Sequence, residues 1–455
     1  MFTSPPIPLL ATETTANIGA MVVAGVLLSL IVVYLASKLG GEISSSLNLP
    51  PVLGELVGGV VVGASALHLL VFPESGATAA DSVLMSTLQL VAGLSPEAVP
   101  EVFSALSEVI SVLADLGVII LLFEIGLELD TKELQEVGYQ AAIVAVVGVV
   151  APFTAGTVGL MLLFNVPTIP AIFAGAALTA TSIGITSKVL SELGYLKSKE
   201  GQIIVGAAVI DDVLGIIVLA VVASLAITGT VDVVNVIYLI VSATVFLLGS
   251  IFLGKFFNKS FVAVSEVLQT RGKLVIPALI FAFFMAFLAN VIQLEAILGA
   301  FAAGLVLDET DKRKELDQQV IPIADILVPV FFVSVGAKVN LGVLNPFVAE
   351  NREGLIIATF LIVVAIIGKL ITGWSFTGQE KINRLAIGFG MIPRGEVGLV
   401  FAGIGSASGV LSQSLEAAII VMVILTTFLA PPLLRFAFKD PSETSEKLQN
   451  ADIAN

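Results

Sequence analysis

The chain of 455 residues has no cysteine, one histidine and one tryptophan, and only 13% of it is charged. Without cysteine there is no disulfide, no thiol nucleophile and no zinc-thiolate site. The single His68 excludes a multi-histidine metal centre. Soluble domains average about 25% charged residues, so half that share excludes an ordinary soluble fold. A net charge of −15 argues against nucleic acid as a partner. The opening MFTSPPIPLLATETTAN holds no Lys or Arg. It lacks the basic start of a signal peptide and reads as a tail over residues 1–17.

What replaces charge is apolar length: 57% of the residues are hydrophobic. An all-α polytopic membrane protein is the expected class. A bilayer core takes about 20 apolar residues per helix. Thirteen segments fit, at about 18–37, 49–70, 113–129, 137–164, 168–193, 200–227, 232–257, 273–293, 295–308, 320–340, 354–377, 382–408 and 412–437. With the N-terminus outside, 17 of the 21 basic residues fall in cytoplasmic loops or the tail at 438–455. Only Lys338 and Arg352 fall outside, while Lys369 and Arg394 lie within spans. That bias follows the positive-inside rule and checks the count, since one missed helix would scramble every later loop. Residues 71–112 form an acidic outer insertion, expected as one or two amphipathic helices acting as a spacer or oligomer contact.

The two halves echo each other. VLGELVGGVVV (Val52 to Val62) parallels ILGAFAAGLVL (Ile297 to Leu307), which aligns Gly54 with Gly299 and Gly59 with Gly304. EIGLELD (Glu124 to Asp130) parallels SVGAKVN (Ser334 to Asn340). Two six-helix units joined by a linker helix at 232–257 would be inverted repeats, a common design of secondary transporters. The spacings Gly54/Gly58 and Gly59/Gly63 mark close helix packing.

Polar residues concentrate in four spans. The fifth contains LTATSIGITS, a run of hydroxyl residues poor in helix formers (Thr179, Thr181, Ser182, Thr186, Ser187). A break there frees backbone carbonyls, which membranes tolerate only where they line a cavity or are buried in protein. Ordinary Ser/Thr packing between helices is the alternative. The sixth span carries Asp211 and Asp212, each costing on the order of 3 kcal/mol at mid-bilayer. Neighbours on a helix point about 100° apart, so the two acids need different partners. Lys369 lies too deep in the eleventh span to snorkel out and needs an acid; one of the two aspartates is its natural partner. The twelfth span, GFGMIPRGEVGLVFAGIG, has Pro393 with Gly388, Gly390, Gly395, Gly398 and Gly403 nearby, and Arg394 and Glu396 at the expected break. Asp115, Glu55 and Glu124 either line an ion-access funnel or make interhelical hydrogen bonds. His68 reads as an ordinary interfacial residue.

ATSIGIT with AAVIDDVLG, Lys369 in IIGK, and GMIPRGEVGL, in that order, resemble the monovalent cation:proton antiporters of the NapA-like branch, from about Leu49 to Pro432. The insertion at 71–112 departs from that pattern. The resemblance implies an NhaA/NapA-like fold in which the fifth and twelfth helices cross at their breaks. It implies dimer-domain helices at about 18–70, 113–129 and 273–340, and a mobile core at about 137–227 and 354–437. By the same resemblance Asp212 binds Na+ or H+, Asp211 pairs with Lys369, Thr181 and Ser182 lie beside the ion, and Glu396 and Arg394 support the assembly. The implied protein is a homodimeric transporter rather than an enzyme. It moves Na+, with Li+ or K+ as alternatives, against H+ and needs no cofactor. It would sit in the cytoplasmic membrane of a prokaryote, or the thylakoid membrane of a cyanobacterium. A potassium:proton antiporter and a sodium-coupled organic-anion symporter are the competing readings. No nucleotide-binding GxGxxG unit follows the last span. Adjacent aspartates on one helix argue against an intramembrane aspartyl protease, which needs two helices to bring its acids to one water.

Overall fold

The computed structural model describes residues 9–73, 76–228, 230–345, 347, 349–376 and 382–438. Among them are seventeen α-helices and no β-strand, as expected where lipid offers the backbone no hydrogen bonds. In order they are α1 (Leu9–Ser46), α2 (Pro51–Val62), α3 (Val83–Ala92), α4 (Val99–Glu128), α5 (Thr131–Glu136), α6 (Gly138–Leu163), α7 (Thr168–Ala177), α8 (Ile183–Glu192) and α9 (Lys199–Thr228). Then follow α10 (Val233–Val267), α11 (Val275–Val291), α12 (Ala296–Asp308), α13 (Arg313–Ala337), α14 (Ala349–Leu370), α15 (Arg384–Gly390), α16 (Glu396–Ala407) and α17 (Gln413–Phe438). Eight of these are long and apolar enough to cross a membrane: α1, α4, α6, α9, α10, α13, α14 and α17. The chain is an integral, multi-pass membrane protein.

Several boundaries differ from those the sequence suggests. α1 starts at Leu9, inside the expected tail, and runs to Ser46 through Gly40 and Gly41. The expected span at 49–70 is helical only to Val62, because Gly63 turns away in an extended conformation (φ −84°, ψ −159°). In the insertion α3 is a separate helix, but the second helix is the first half of α4, continuous with the third expected span. Pro100 lies in the first turn of α4, where its missing N–H costs nothing, and no Gly or Pro follows until Gly117. Nor is the insertion all surface, since Leu84, Met85, Leu88, Phe103 and Leu106 are buried. The spans at 168–193 and 382–408 are each interrupted, giving α7/α8 and α15/α16. Residues 1–8 and 439–455 of the expected tails, and Lys381, lie outside the described residues.

The helices group into two compact units: residues up to Val118 with Ile323–Gly342, and Ile119–Pro322 with everything from Val343 onward. In the first unit α2 packs on two neighbours at backbone contact. A Cβ on Gly54 would fall 2.0 Å from the Gly40 carbonyl oxygen of α1, and one on Gly58 2.6 Å from that of Ala36. On its other face a Cβ on Gly59 would fall 2.2 Å from the Val333 oxygen of α13 and 2.9 Å from Gly336 Cα. Ser65 continues the seam, donating to the Val339 carbonyl at 2.6 Å and accepting from Leu341 N at 3.0 Å. The second unit repeats the motif. A Cβ on Gly299 of α12 would lie 2.2 Å from the Met285 oxygen of α11, and one on Gly304 2.8 Å from Gly126 Cα of α4. The second unit also contains both interrupted helices.

These contacts leave no room for side chains. Gly59→Leu is expected to cost roughly 1–3 kcal/mol or more by overpacking, read as a lowered unfolding temperature in detergent. Gly19→Leu, with nothing within 4 Å of the added atom, should leave that temperature unchanged. Equal effects of the two would refute the packing account.

Candidate functional site

Interrupting a helix inside a membrane exposes main-chain oxygens that need donors. Between α7 and α8, Leu178 and Thr179 still close tight turns onto Gly175 and Ala176, at 3.1 and 3.0 Å. The chain then leaves the helix. The local sequence favours this, because Thr179, Thr181 and Ser182 carry hydroxyls that compete for backbone groups. Ser182 caps α8, its Oγ accepting from Ile185 N at 3.5 Å. Between α15 and α16, Pro393 lacks an N–H and disfavours a helical residue before it. Gly395 then leads extended into α16.

The two breaks are tied together. Ser182 N donates to the Pro393 carbonyl at 2.9 Å. Thr181 Oγ1 donates to the Met391 carbonyl at 3.2 Å and Thr186 Oγ1 to that of Gly390 at 2.9 Å. Hydroxyls of one broken helix thus satisfy the carbonyl end of the other. Gly395 is needed for the approach, since a Cβ there would lie 2.9 Å from Ser182 Oγ.

Cations satisfy the carbonyl end of α7. Lys369 Nζ, from α14, donates to the Thr179 carbonyl at 2.7 Å, to Thr181 Oγ1 at 2.9 Å and to Asp211 Oδ1 of α9 at 3.2 Å. Arg394 Nη1 donates to the same Thr179 carbonyl at 3.0 Å and also to that of Ala180. Lys369, Arg394 and Asp211 are all 0% exposed. A helix C-terminus carries about half a negative charge, so the α7 end and the Asp211 carboxylate together offset most of the charge of the two buried cations. Gly148 of α6 makes space for the ammonium, since a Cβ there would lie 3.2 Å from Nζ.

The structure therefore brings Asp211, Lys369, Thr181 and Arg394 into one cluster, with Ser182 at the crossing. Asp212, 3% exposed, occupies the next position on α9, about 100° round the helix. Glu396 begins α16, but its side chain lies outside the described residues. Glu55 accepts from Ser37 Oγ at 2.8 Å, which is an interhelical hydrogen bond. Asp115 belongs to the first unit and Glu124 to the second. His68 is exposed in the turn after α2, with φ 51°.

Two contributors have little local signature. Thr427 of α17 donates to the Arg394 carbonyl; its only hint is a Thr pair in an otherwise apolar run. Gly148 is one glycine among 41 and has no signal at all. Among the described residues no group of three or more His, Cys, Asp or Glu gathers as a metal cluster. The oxygen donors at the crossing are carboxylate, hydroxyl and main-chain carbonyl, a hard set suited to an alkali cation or a proton.

The family described as "Sodium/hydrogen exchanger, transmembrane" matches residues 26–439. The chain is 62% identical over 438 residues to the high-affinity Na(+)/H(+) antiporter NhaS3 of Synechocystis sp., covering 96% of this chain and 95% of that protein. It is 34% identical over 421 residues to the Na(+)/H(+)-K(+) antiporter GerN of Bacillus cereus, covering 91% and 97% respectively. The solved structure of the sodium proton antiporter MjNhaP1 from Methanocaldococcus jannaschii shares the fold, with a TM-score of 0.57 at 17% identity over 94% of this chain and 99% of that one. The relatives are named as antiporters, not enzymes, and this chain belongs to the transmembrane sodium/hydrogen exchanger family.

Proposed function

We propose that this protein is a secondary antiporter exchanging Na+ for H+, with Asp212 as the carboxylate that takes one or the other. The observation that carries the reading is the buried Lys369–Asp211 pair, 3.2 Å apart, where two broken helices cross. Lys369 commits the charge of Asp211. Asp212 stands one residue away on α9 and is also buried, at 3% exposed. In this proposal the carboxylate is occupied by either a proton or a metal ion. Na+ and H+ then compete for one place. A carrier that crosses only when loaded converts that competition into exchange, with no phosphoryl or covalent step.

The larger architecture in this proposal has thirteen spans, α7/α8 and α15/α16 each counting as one, in two inverted six-helix repeats. The glycine contacts support the repeat, because the paired positions Gly59/Gly304 and Gly336/Gly126 touch in the same way. The cytoplasmic bias of basic residues supports an N-terminus outside or in the lumen. Alternating access would proceed by an elevator-type movement of the helices at about 137–227 and 354–437, in a homodimer. Potassium is a second candidate substrate, favoured by the name of GerN, a relative over nearly its whole length.

Purified protein in liposomes, with a pH-sensitive dye inside, tests the function. Na+ added outside should release the proton gradient in the wild type. The Asp212→Asn variant should fold normally and show no exchange above empty liposomes; normal exchange would remove Asp212 from the site. The same assay with K+ and Li+ ranks the substrates.

Lys369→Ala strands a buried carboxylate and should cost roughly 3–5 kcal/mol of stability, read by thermal unfolding in detergent. Adding Asp211→Asn should recover part of that loss, as expected for residues in contact. Strictly additive losses would refute the pairing.

A further inference from the structure

The hairpin joining α10 to α11 is chemically unlike the rest of the molecule. In a chain of net charge −15, residues 257–284 carry Lys259, Arg271 and Lys273 against one acid, Glu266. The hairpin encloses an open groove of about 500 Å³. Its floor and sides are aromatic. Phe257 stacks on Phe281 with ring centroids 3.7 Å apart, and Phe257 also stacks on Phe261 at 6.1 Å. Phe284 and Ile280 extend the wall outward and are 50% and 64% exposed. At one end the apolar lining gives way to Thr270, Arg271 and Lys273. Gly272 makes that end possible, turning with φ +76°, a left-handed conformation glycine adopts freely. Arg271 and Lys273 are exposed, and neither makes an ion pair among the described residues. Among the described residues, no acid lines the groove.

A continuous apolar wall ending in two exposed cations matches one kind of molecule, an amphiphile with an anionic head. We propose that this groove binds an anionic phospholipid of the surrounding bilayer, its acyl chains along Phe257, Phe281 and Phe284 and its phosphate at Arg271 and Lys273. Basic pockets between membrane helices on the cytoplasmic side are a recognised setting for acidic head groups. The placement in the cytoplasmic leaflet rests on the orientation proposed above; the pairing of wall and cations does not. The lipid would extend the contact that Phe257 and Phe281 already make between α10 and α11.

Native mass spectrometry of the delipidated full-length protein tests this, titrating with dioleoyl phosphatidylglycerol or dioleoyl phosphatidylcholine in otherwise identical detergent. Each cation near an anionic head contributes roughly fivefold, so the expected preference for phosphatidylglycerol is roughly thirtyfold at low salt. Arg271→Ala with Lys273→Ala should abolish the preference while leaving weak binding of both lipids. Phe284→Ala should weaken both lipids and keep the preference. Inorganic phosphate in excess should not displace phosphatidylglycerol. Equal binding of the two lipids by wild-type protein, an undiminished preference in the double variant, displacement by phosphate alone, or burial of the groove by a second copy of this chain would each overturn the proposal. Lipid binding is read without any transport step. A preparation that selects phosphatidylglycerol but exchanges no Na+ therefore counts against the antiport reading alone.

Discussion

One constraint organises the second unit: a lysine ammonium held in a fully dry interior. An isolated ion there would cost many kcal/mol, and a good ion pair offsets that only if its remaining protons are also bonded. Lys369 meets the condition by using three kinds of oxygen together: the Asp211 carboxylate, the Thr181 hydroxyl and the Thr179 carbonyl. The last exists as an acceptor only because α7 stops where it does. The break in the helix and the buried charge thus explain each other.

Arg394 extends the same logic. It shares the Thr179 carbonyl with Lys369 and takes that of Ala180 as well, so the α7 terminus faces two cations. The α15 terminus is closed instead by the neutral hydroxyls of Thr181 and Thr186. The two ends at the crossing are therefore closed differently, one by cations and one by neutral hydroxyls. In the proposed mechanism the second acid, Asp212, would be the group at which gain or loss of one positive charge decides the local balance. That is the property an exchanger of monovalent ions requires.

Much of this was legible in the sequence because the signals are local. Pro393 with its glycines, and the hydroxyl run from Thr179 to Ser187, break helices for reasons written in a few residues. That Lys369 pairs with one of the two adjacent aspartates was legible for a different reason, since a deep lysine has few acids to choose from; only the resemblance singled out Asp211. What escaped depends on distant chain. α1 continues through Gly40 and Gly41, poor helix formers, because Gly40 meets Gly54 across the helix pair. The insertion fuses with the third span because nothing before Gly117 stops α4, although its polar residues suggested a surface helix. Gly148 and Thr427 enter the site only through contacts with residues more than 30 positions away, which no local pattern encodes.

The account stands on Na+ and H+ sharing one binding place. The most direct measurement is the apparent Na+ affinity of exchange as a function of pH, in liposomes with the membrane potential clamped. Competition predicts that on the acidic side affinity for Na+ falls about tenfold for each unit drop in pH, since every bound proton must leave before the cation binds. A Na+ affinity that stays constant across that range would show that the two ions occupy separate sites, and would contradict the mechanism.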